Sequence, residues 1–274
     1  MGKLDGKVAL VSGSGRGIGQ AIALKLASEG ARIVVNDLDA DPAHATVEML
    51  RKAGAQAQAC VGSVTAPDFA ERYVGTAMKA FGGIDIIVNN AGYTWDDVIQ
   101  RMTDEQWYAI LDCHLTAPFR ILRAAYPHIK AQYQAEAAEG KEVFRKVVNI
   151  SSVSALNGNA GQMNYSSAKA GVIGMTRALS REWGRMKVNV NAVAFGLIHT
   201  RMTDADASAG ATVKIEGRDI RVGINPELIK THAQRCPLGR GGTPEEAAGA
   251  VYLFCSPESN YITGQVVAVS GSPQ

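Results

Sequence analysis

Short, wholly apolar runs recur along this chain, each followed by a longer stretch with helical spacing, and few architectures accommodate that pattern. Val8–Val11, Arg32–Asp37, Ala55–Val61, Ile84–Val88, Val147–Ile150, Val188–Ala194 and Val266–Val269 read as strands. Helical spacing runs through Gly19–Ser28, Thr46–Ala53, a stretch holding Phe69, Tyr73 and Met78, and Met163–Trp183. A strand that is apolar on both faces has to be covered on both faces, and strands that alternate with helices are joined by crossovers that keep them parallel. The expectation is an α/β fold: a doubly wound sheet of seven mostly parallel strands with helices on both faces. No repeat or Pro/Ser linker interrupts it, so residues 1–274 read as a single domain. Two segments stand apart. Gln132–Lys146 is polar and Ala/Glu-rich, which suggests a helix extension with a surface loop. Residues 197–235, Thr203–Arg235 above all, separate the sixth strand from the last helix, and a stretch that long is expected to form a substrate lid.

Charge narrows the function classes. There are 28 basic and 26 acidic side chains, a net charge of +2, without the basic stripe that nucleic-acid binding requires. Cys60, Cys113, Cys236 and Cys255 form no C-x-x-C pair and have no histidine at zinc-site spacing, so no metal is expected and they read as small core residues. No run of 18 apolar residues is present, and a cytoplasmic protein that does not span a membrane is the expectation.

Ser12-Gly13-Ser14-Gly15-Arg16-Gly17-Ile18-Gly19 joins the first strand to the first helix. Glycines there let the backbone turn tightly and approach a pyrophosphate, which the N–H groups and dipole of the following helix attract. The sheet is therefore expected to be of the Rossmann type. Asp37, at the end of the second strand, can accept hydrogen bonds from ribose hydroxyls and repel a 2′-phosphate, favouring NAD(H). Arg16 pulls the other way, since a guanidinium can pair with that phosphate, and leaves NADP(H) open. Tyr165 and Lys169 are four apart on one face of a helix. A nearby ammonium stabilises phenolate and is expected to lower the tyrosine pKa toward a working range. Ser152, at the carboxyl end of the fifth strand, can offer its hydroxyl to a substrate oxygen.

These residues, together with Asn89-Asn90-Ala91-Gly92, resemble the short-chain dehydrogenase/reductase family from about Lys7 to Gly271. The resemblance implies that Tyr165 is the general acid/base, that Ser152 steadies the substrate carbonyl, and that Lys169 holds the nicotinamide ribose. It places Gly13, Ser14, Arg16, Gly17, Ile18, Gly19, Asp37, Ser63, Val64, Asn90, Ala91, Gly92, Gly196, Ile198 and Thr200 along the cofactor. It also implies a homotetramer built through the two long helices after strands four and five. Three positions depart from the family pattern. His114 stands where an asparagine usually completes a proton relay, and is read as a catalytic residue in its place. Phe195-Gly196 replaces Pro-Gly, and Ser63 replaces an aspartate beside the adenine.

Within the family, Gly158–Ser166 resembles the β-ketoacyl-acyl-carrier-protein reductases of fatty-acid metabolism. With Val35–Leu38 and His114-Leu115 it is also similar to the (3R)-hydroxyacyl-CoA dehydrogenase module of peroxisomal multifunctional enzymes. The substrate implied is a 3-oxo/3-hydroxyacyl thioester, carried on CoA or on an acidic acyl carrier protein that Arg181 or Arg185 would meet. A secondary-alcohol or hydroxysteroid dehydrogenase is the alternative within the family, and a cofactor-binding scaffold without catalysis the alternative outside it.

Overall fold

The computed structural model describes residues 2–200, 212–221, 231 and 236–272. Seven parallel strands form one sheet: β1 (Val8–Val11), β2 (Arg32–Asp37), β3 (Ala57–Val61), β4 (Ile86–Asn89), β5 (Arg145–Ser152), β6 (Val188–Phe195) and β9 (Val266–Val269), in the order β3-β2-β1-β4-β5-β6-β9. The chain winds outward from β1 to β3 and then restarts with β4 on the other side of β1. The carboxyl ends of β1 and β4 therefore flank the crevice where open α/β sheets bind ligands.

Alternation along each strand divides the core in two. Val8 and Leu10 point to the layer of α3 (Phe69–Phe81), α5 (Ala117–Ala138) and α7 (Met163–Trp183), packing with Phe69, Ile121, Ile129 and Ala168. Ala9 and Val11 point to the layer of α1 (Gly17–Ser28), α2 (Ala40–Lys52) and α8 (Pro244–Cys255), packing with Ile22, Leu26, Leu50 and Val251. All four cysteines are buried and free. Among the described residues, no helix is long and apolar enough to cross a membrane.

The structure corrects the reading of Gln132–Lys146. Its first half continues α5 to Ala138, but Arg145 and Lys146 are the buried start of β5. Their charges are compensated inside the fold. Arg145 grips Glu136 through two bonds of 2.8 and 2.6 Å and donates to the Ile84 carbonyl at 3.1 Å. Lys146 Nζ spends its three donors on Asn189 Oδ1, Ser259 Oγ and Asn260 Oδ1 at 2.8–3.0 Å.

Between α4 (Asp104–Leu111) and α5, Asp112–Thr116 forms one turn of π-helix, a distortion often found at functional sites. Within the expected lid, Thr212–Ile215 (β7) and Arg218–Arg221 (β8) pair as an antiparallel hairpin. Both turn residues have positive φ, Glu216 at 51° and Gly217 at 81°, the geometry that suits the twist of a two-residue hairpin. The rest of 201–235, Thr231 apart, lies outside the described residues.

Candidate active site

Hydrogen bonds from both sides hold the loop after β1 in shape. Gly13 N donates to Asn36 Oδ1 at 3.1 Å, and Ser14 Oγ donates to the Val11 carbonyl at 2.7 Å. Ser12 Oγ accepts from the backbone N–H groups of Asn90 and Ala91, each at 3.0 Å. Asn90 Nδ2 donates to the carbonyls of Ser12 and Gly13 at 2.9 and 3.1 Å. Its Nδ2 thus shapes the loop on which the resemblance places the cofactor. Glycine is required here on steric grounds. A Cβ on Gly19 would stand 2.0 Å from the Gly13 carbonyl oxygen, and Gly13 itself, at φ 62°, abuts Ala91.

This cradle fits a dinucleotide. Helix α1 starts from Arg16 in extended backbone, with no side-chain cap and no acidic residue in its first turn, so its N-terminal N–H groups are left for an anion. Among the described residues, a Cβ at Gly17 would meet only Thr200 Cγ2, at 3.9 Å, so Thr200 stands at the rim of the helix end. Asp37 is buried to 8% exposure against Gly15, and the Asp39 N–H donates to its Oδ1. Arg16 Nη2 lies 2.6 Å from Asp39 Oδ2 and 3.6 Å from Asp37 Oδ1, so its charge is already balanced by carboxylates. Val64 is buried. The Ser63 hydroxyl bonds Thr65 Oγ1 and the Glu216 carboxylate, which brings an acid of the hairpin to the position without the family's aspartate. Ile198 is buried in the core and bridges Gly242, while Gly196 packs against Ser270 too closely to admit a Cβ.

Ser152, Tyr165 and Lys169 come together at the carboxyl ends of β4 and β5. Ser152 Oγ accepts from the Ser154 N–H at 3.1 Å and lies 3.5 Å from the Phe195 carbonyl oxygen, and its hydroxyl is near enough to Tyr165 to lower that phenol's pKa. Lys169 Nζ donates to the Ile150 carbonyl at 2.7 Å and lies 5.7 Å from the Tyr165 ring centroid. The tyrosine is braced at its backbone, where its N–H donates to Asn164 Oδ1 at 2.8 Å; Asn164 Nδ2 in turn holds the carbonyls of Trp95 and Gln106. His114, on the π-helical turn, meets the Tyr165 ring edge-on at 5.1 Å and 85°. Its Nε2 is 2.7 Å from the Tyr93 carbonyl oxygen and 3.2 Å from the Tyr93 backbone nitrogen, contacts that serve either tautomer, and the other ring nitrogen is Nδ1. That Nδ1 is buried with no partner among the described residues. Packing of this ring depends on Gly92, because a Cβ there would fall 2.1 Å from His114 Cε1. His114 lies inside the fold, 3% exposed.

Ionisation differs from the expectation in one respect. Burial pushes the Tyr165 hydroxyl up to about 12, against the lowering effect of the nearby Ser152 hydroxyl. Lys169 does not overcome this, because burial also brings its own pKa down to about 8. Without further positive charge the site holds a protonated phenol. Burial, then the Lys169 charge, keeps His114 well below the ordinary histidine range, so the imidazole is neutral at pH 7.

Sequence reasoning passed over the loop after β4. Tyr93–Asp97 runs beside the start of α7, and Gln162 ties to it through its Nε2 bond of 2.7 Å to Asp96 Oδ2. The available signal was position, since this loop leaves the carboxyl end of a central strand.

Comparison with known proteins agrees with this geometry. The family described as short chain dehydrogenase matches residues 7–210. The 3-oxoacyl-(acyl-carrier-protein) reductase FabG of Vibrio cholerae is 38% identical, over 98% of this chain and 97% of its own. That of Thermotoga maritima is 34% identical over 98% of each. The short-chain reductase protein NovJ of Streptomyces niveus is 37% identical over 96% of this chain and 92% of its own. Among solved structures, a candidate gluconate dehydrogenase from Agrobacterium tumefaciens superposes with a TM-score of 0.84 at 30% identity, covering 98% of this chain and 96% of that one.

Proposed function

The chain belongs to the short-chain dehydrogenase family, and on that premise we propose that it interconverts 3-oxoacyl and 3-hydroxyacyl thioesters. Membership makes it an NAD(P)-dependent oxidoreductase acting on CH–OH groups; the substrate is the proposal. The observation that carries the reading is Lys169, anchored on the Ile150 carbonyl 5.7 Å from the Tyr165 ring centroid, with Ser152 at the end of β5.

When bound, the nicotinamide supplies or accepts the hydride at C3. The chain's own residues handle the oxygen. Ser152 donates a hydrogen bond to it, and Tyr165, protonated in the resting site, gives it a proton as the alcohol forms. Lys169, anchored on the Ile150 carbonyl, holds positive charge beside the phenolate that remains. The buried, unpartnered Nδ1 of His114 is placed to exchange a hydrogen bond with a water linked to the Lys169 ammonium, a route by which that proton is replaced. Gly13, Ser14, Gly17, Ile18 and Gly19 would hold the pyrophosphate, Asp37 the adenosine ribose, and Ala91, Gly92, Gly196, Ile198 and Thr200 the remainder of the cofactor. The buried Asp37 and the neutralised Arg16 favour NAD(H). The hairpin belongs to a lid over 197–235. A homotetramer fits the exposed Tyr108 on α4 and Phe119 on α5.

The test is oxidation of NADH and of NADPH, run in parallel with acetoacetyl-CoA, by the wild type and by Tyr165→Phe. Consumption of either cofactor by wild type only, with cofactor binding kept in the variant, is the expected result. Absence of turnover with acetoacetyl-CoA alongside oxidation of secondary alcohols or steroids would overturn the thioester assignment.

A further inference from the structure

The hairpin brings a second acid to the edge of the crevice where Asp37 stands. Loop 62–65, which follows β3, is tied to the end of β2. The Gly62 N–H donates to the Asp37 carbonyl at 2.9 Å, and Asn36 Nδ2 donates to the Gly62 carbonyl at 3.0 Å. Further along the loop, Ser63 Oγ and Thr65 Oγ1 both donate to Oε1 of Glu216, Thr65 at 2.8 Å. Glu216 Oε2 accepts from Arg218 Nη1 at 3.0 Å. Arg218 in turn donates to Glu105 at 2.7 Å and lies over the Trp95 ring. Both carboxylate oxygens are thus fixed in place, yet the Glu216 side chain stays 23% exposed, so lone pairs remain for a ligand. The hairpin is anchored to the body, since Ile220 is 1% exposed in the core layer that holds Tyr93 and Ile110. Glu216 itself sits at φ 51°, a region that glycine enters freely and glutamate seldom does. Such strain concentrates where the side chain has a task.

Stereochemistry directs the base of a dinucleotide to this corner. In adenosine the phosphate hangs from C4′ through C5′, and the base from C1′ on the other side of the ring oxygen. With the pyrophosphate at the start of α1 and the ribose hydroxyls on Asp37, the base is sent away from β1, past the end of β2 toward that of β3. We propose that Glu216 reads the base, accepting the adenine 6-amino group on its carboxylate, so that the hairpin takes part in choosing the dinucleotide. The inference rests on the cofactor reading above, with Asp37 on the ribose, and adds the residue that recognises the far end. The Ser63 and Thr65 hydroxyls do not serve instead: their protons are spent on Glu216, and Ser63 Oγ also accepts the Thr65 N–H at 3.1 Å. A carboxylate accepts from an amino group and repels a carbonyl oxygen in the same place.

The experiment measures binding of NADH and of its hypoxanthine analogue, in which a carbonyl oxygen replaces the 6-amino group. Nicotinamide fluorescence follows both titrations in wild type, Glu216→Gln and Glu216→Ala. The expected result is that wild type binds NADH about tenfold more tightly than the analogue, and that this ratio falls below about twofold in both variants. A loss of equal factor for both dinucleotides, leaving the ratio in place, would mean that Glu216 only ties the hairpin to loop 62–65 and would overturn the proposal. A wild-type ratio near one would overturn it as well, while leaving the cradle intact. If neither dinucleotide binds, the cofactor reading itself fails and takes this inference with it.

Discussion

Replacing Asp37 by asparagine should shift affinity from NADH toward NADPH, and the structure sets the scale. The carboxylate is 8% exposed and packed on Gly15, so its bonds to ribose hydroxyls are formed in a desolvated site. A hydrogen bond to a charged group contributes about 1.5–3 kcal/mol and one to a neutral amide about 1, so the exchange costs NADH binding about 0.5–2 kcal/mol. The same change removes a negative charge from the place of the 2′-phosphate. Two unit charges at ~4 Å repel by about 4 kcal/mol at a near-surface dielectric, and half that is a fair value for a partly open cleft. Together the NADH-to-NADPH affinity ratio should fall by roughly 100- to 1,000-fold. Asp39→Asn is the control. Asp39 holds Arg16 at 2.6 Å, but its side chain is 58% exposed, and an exposed pair contributes about 0–1 kcal/mol. It should move the ratio by less than about fivefold. Titrating both cofactors by fluorescence or calorimetry reads these values. A ratio changed less than about threefold by Asp37→Asn, or changed equally by Asp39→Asn, would refute the assignment of cofactor choice to the buried acid.

Gly19→Ala should abolish dinucleotide binding and lower the melting temperature, since its Cβ would sit 2.0 Å from the Gly13 carbonyl oxygen; calorimetry with and without NADH checks both. Lys146 and Lys169 are each brought from 10.5 down to about 8 by burial. Between about pH 8 and 10 the unfolded chain therefore binds more protons than the folded one, and stability should rise with pH in that window. Urea midpoints measured across it should climb, and climb less in Lys146→Met. Arg145→Met should destabilise the fold by about 3 kcal/mol, because it strands Glu136 and leaves the Ile84 carbonyl without its donor; the urea midpoint reads that loss.

The parallel sheet was legible because buried strands advertise themselves as apolar runs, and the glycine cradle because its spacing follows one of them. What escaped was hidden by charge. Arg145 and Lys146 look like loop residues until Glu136, Asn189, Ser259 and Asn260, distant in sequence, are seen to satisfy them. Helix α2 begins at Ala40 and not near Thr46, since its first turns are polar and exposed and carry no periodic signal. The hairpin was readable in principle: Thr-Val-Lys-Ile before Glu-Gly and Arg-Asp-Ile-Arg after it alternate around a turn dipeptide. The catalytic set was legible as residue types, but not its ionisation. Spacing shows that Lys169 is near Tyr165, whereas the desolvation that raises the phenol and lowers the amine depends on everything packed around them.

The contact between Gly92 and His114 constrains the order in which these positions could change over time. With the imidazole present, any side chain at 92 collides with it at 2.1 Å. A substitution at 92 would be purged unless 114 had first become smaller or turned away, whereas a smaller residue at 114 needs no prior change at 92. History at this site therefore runs more easily in one direction: the histidine acts as a lock on its neighbour, and relatives that gained bulk at 92 would have had to release it first.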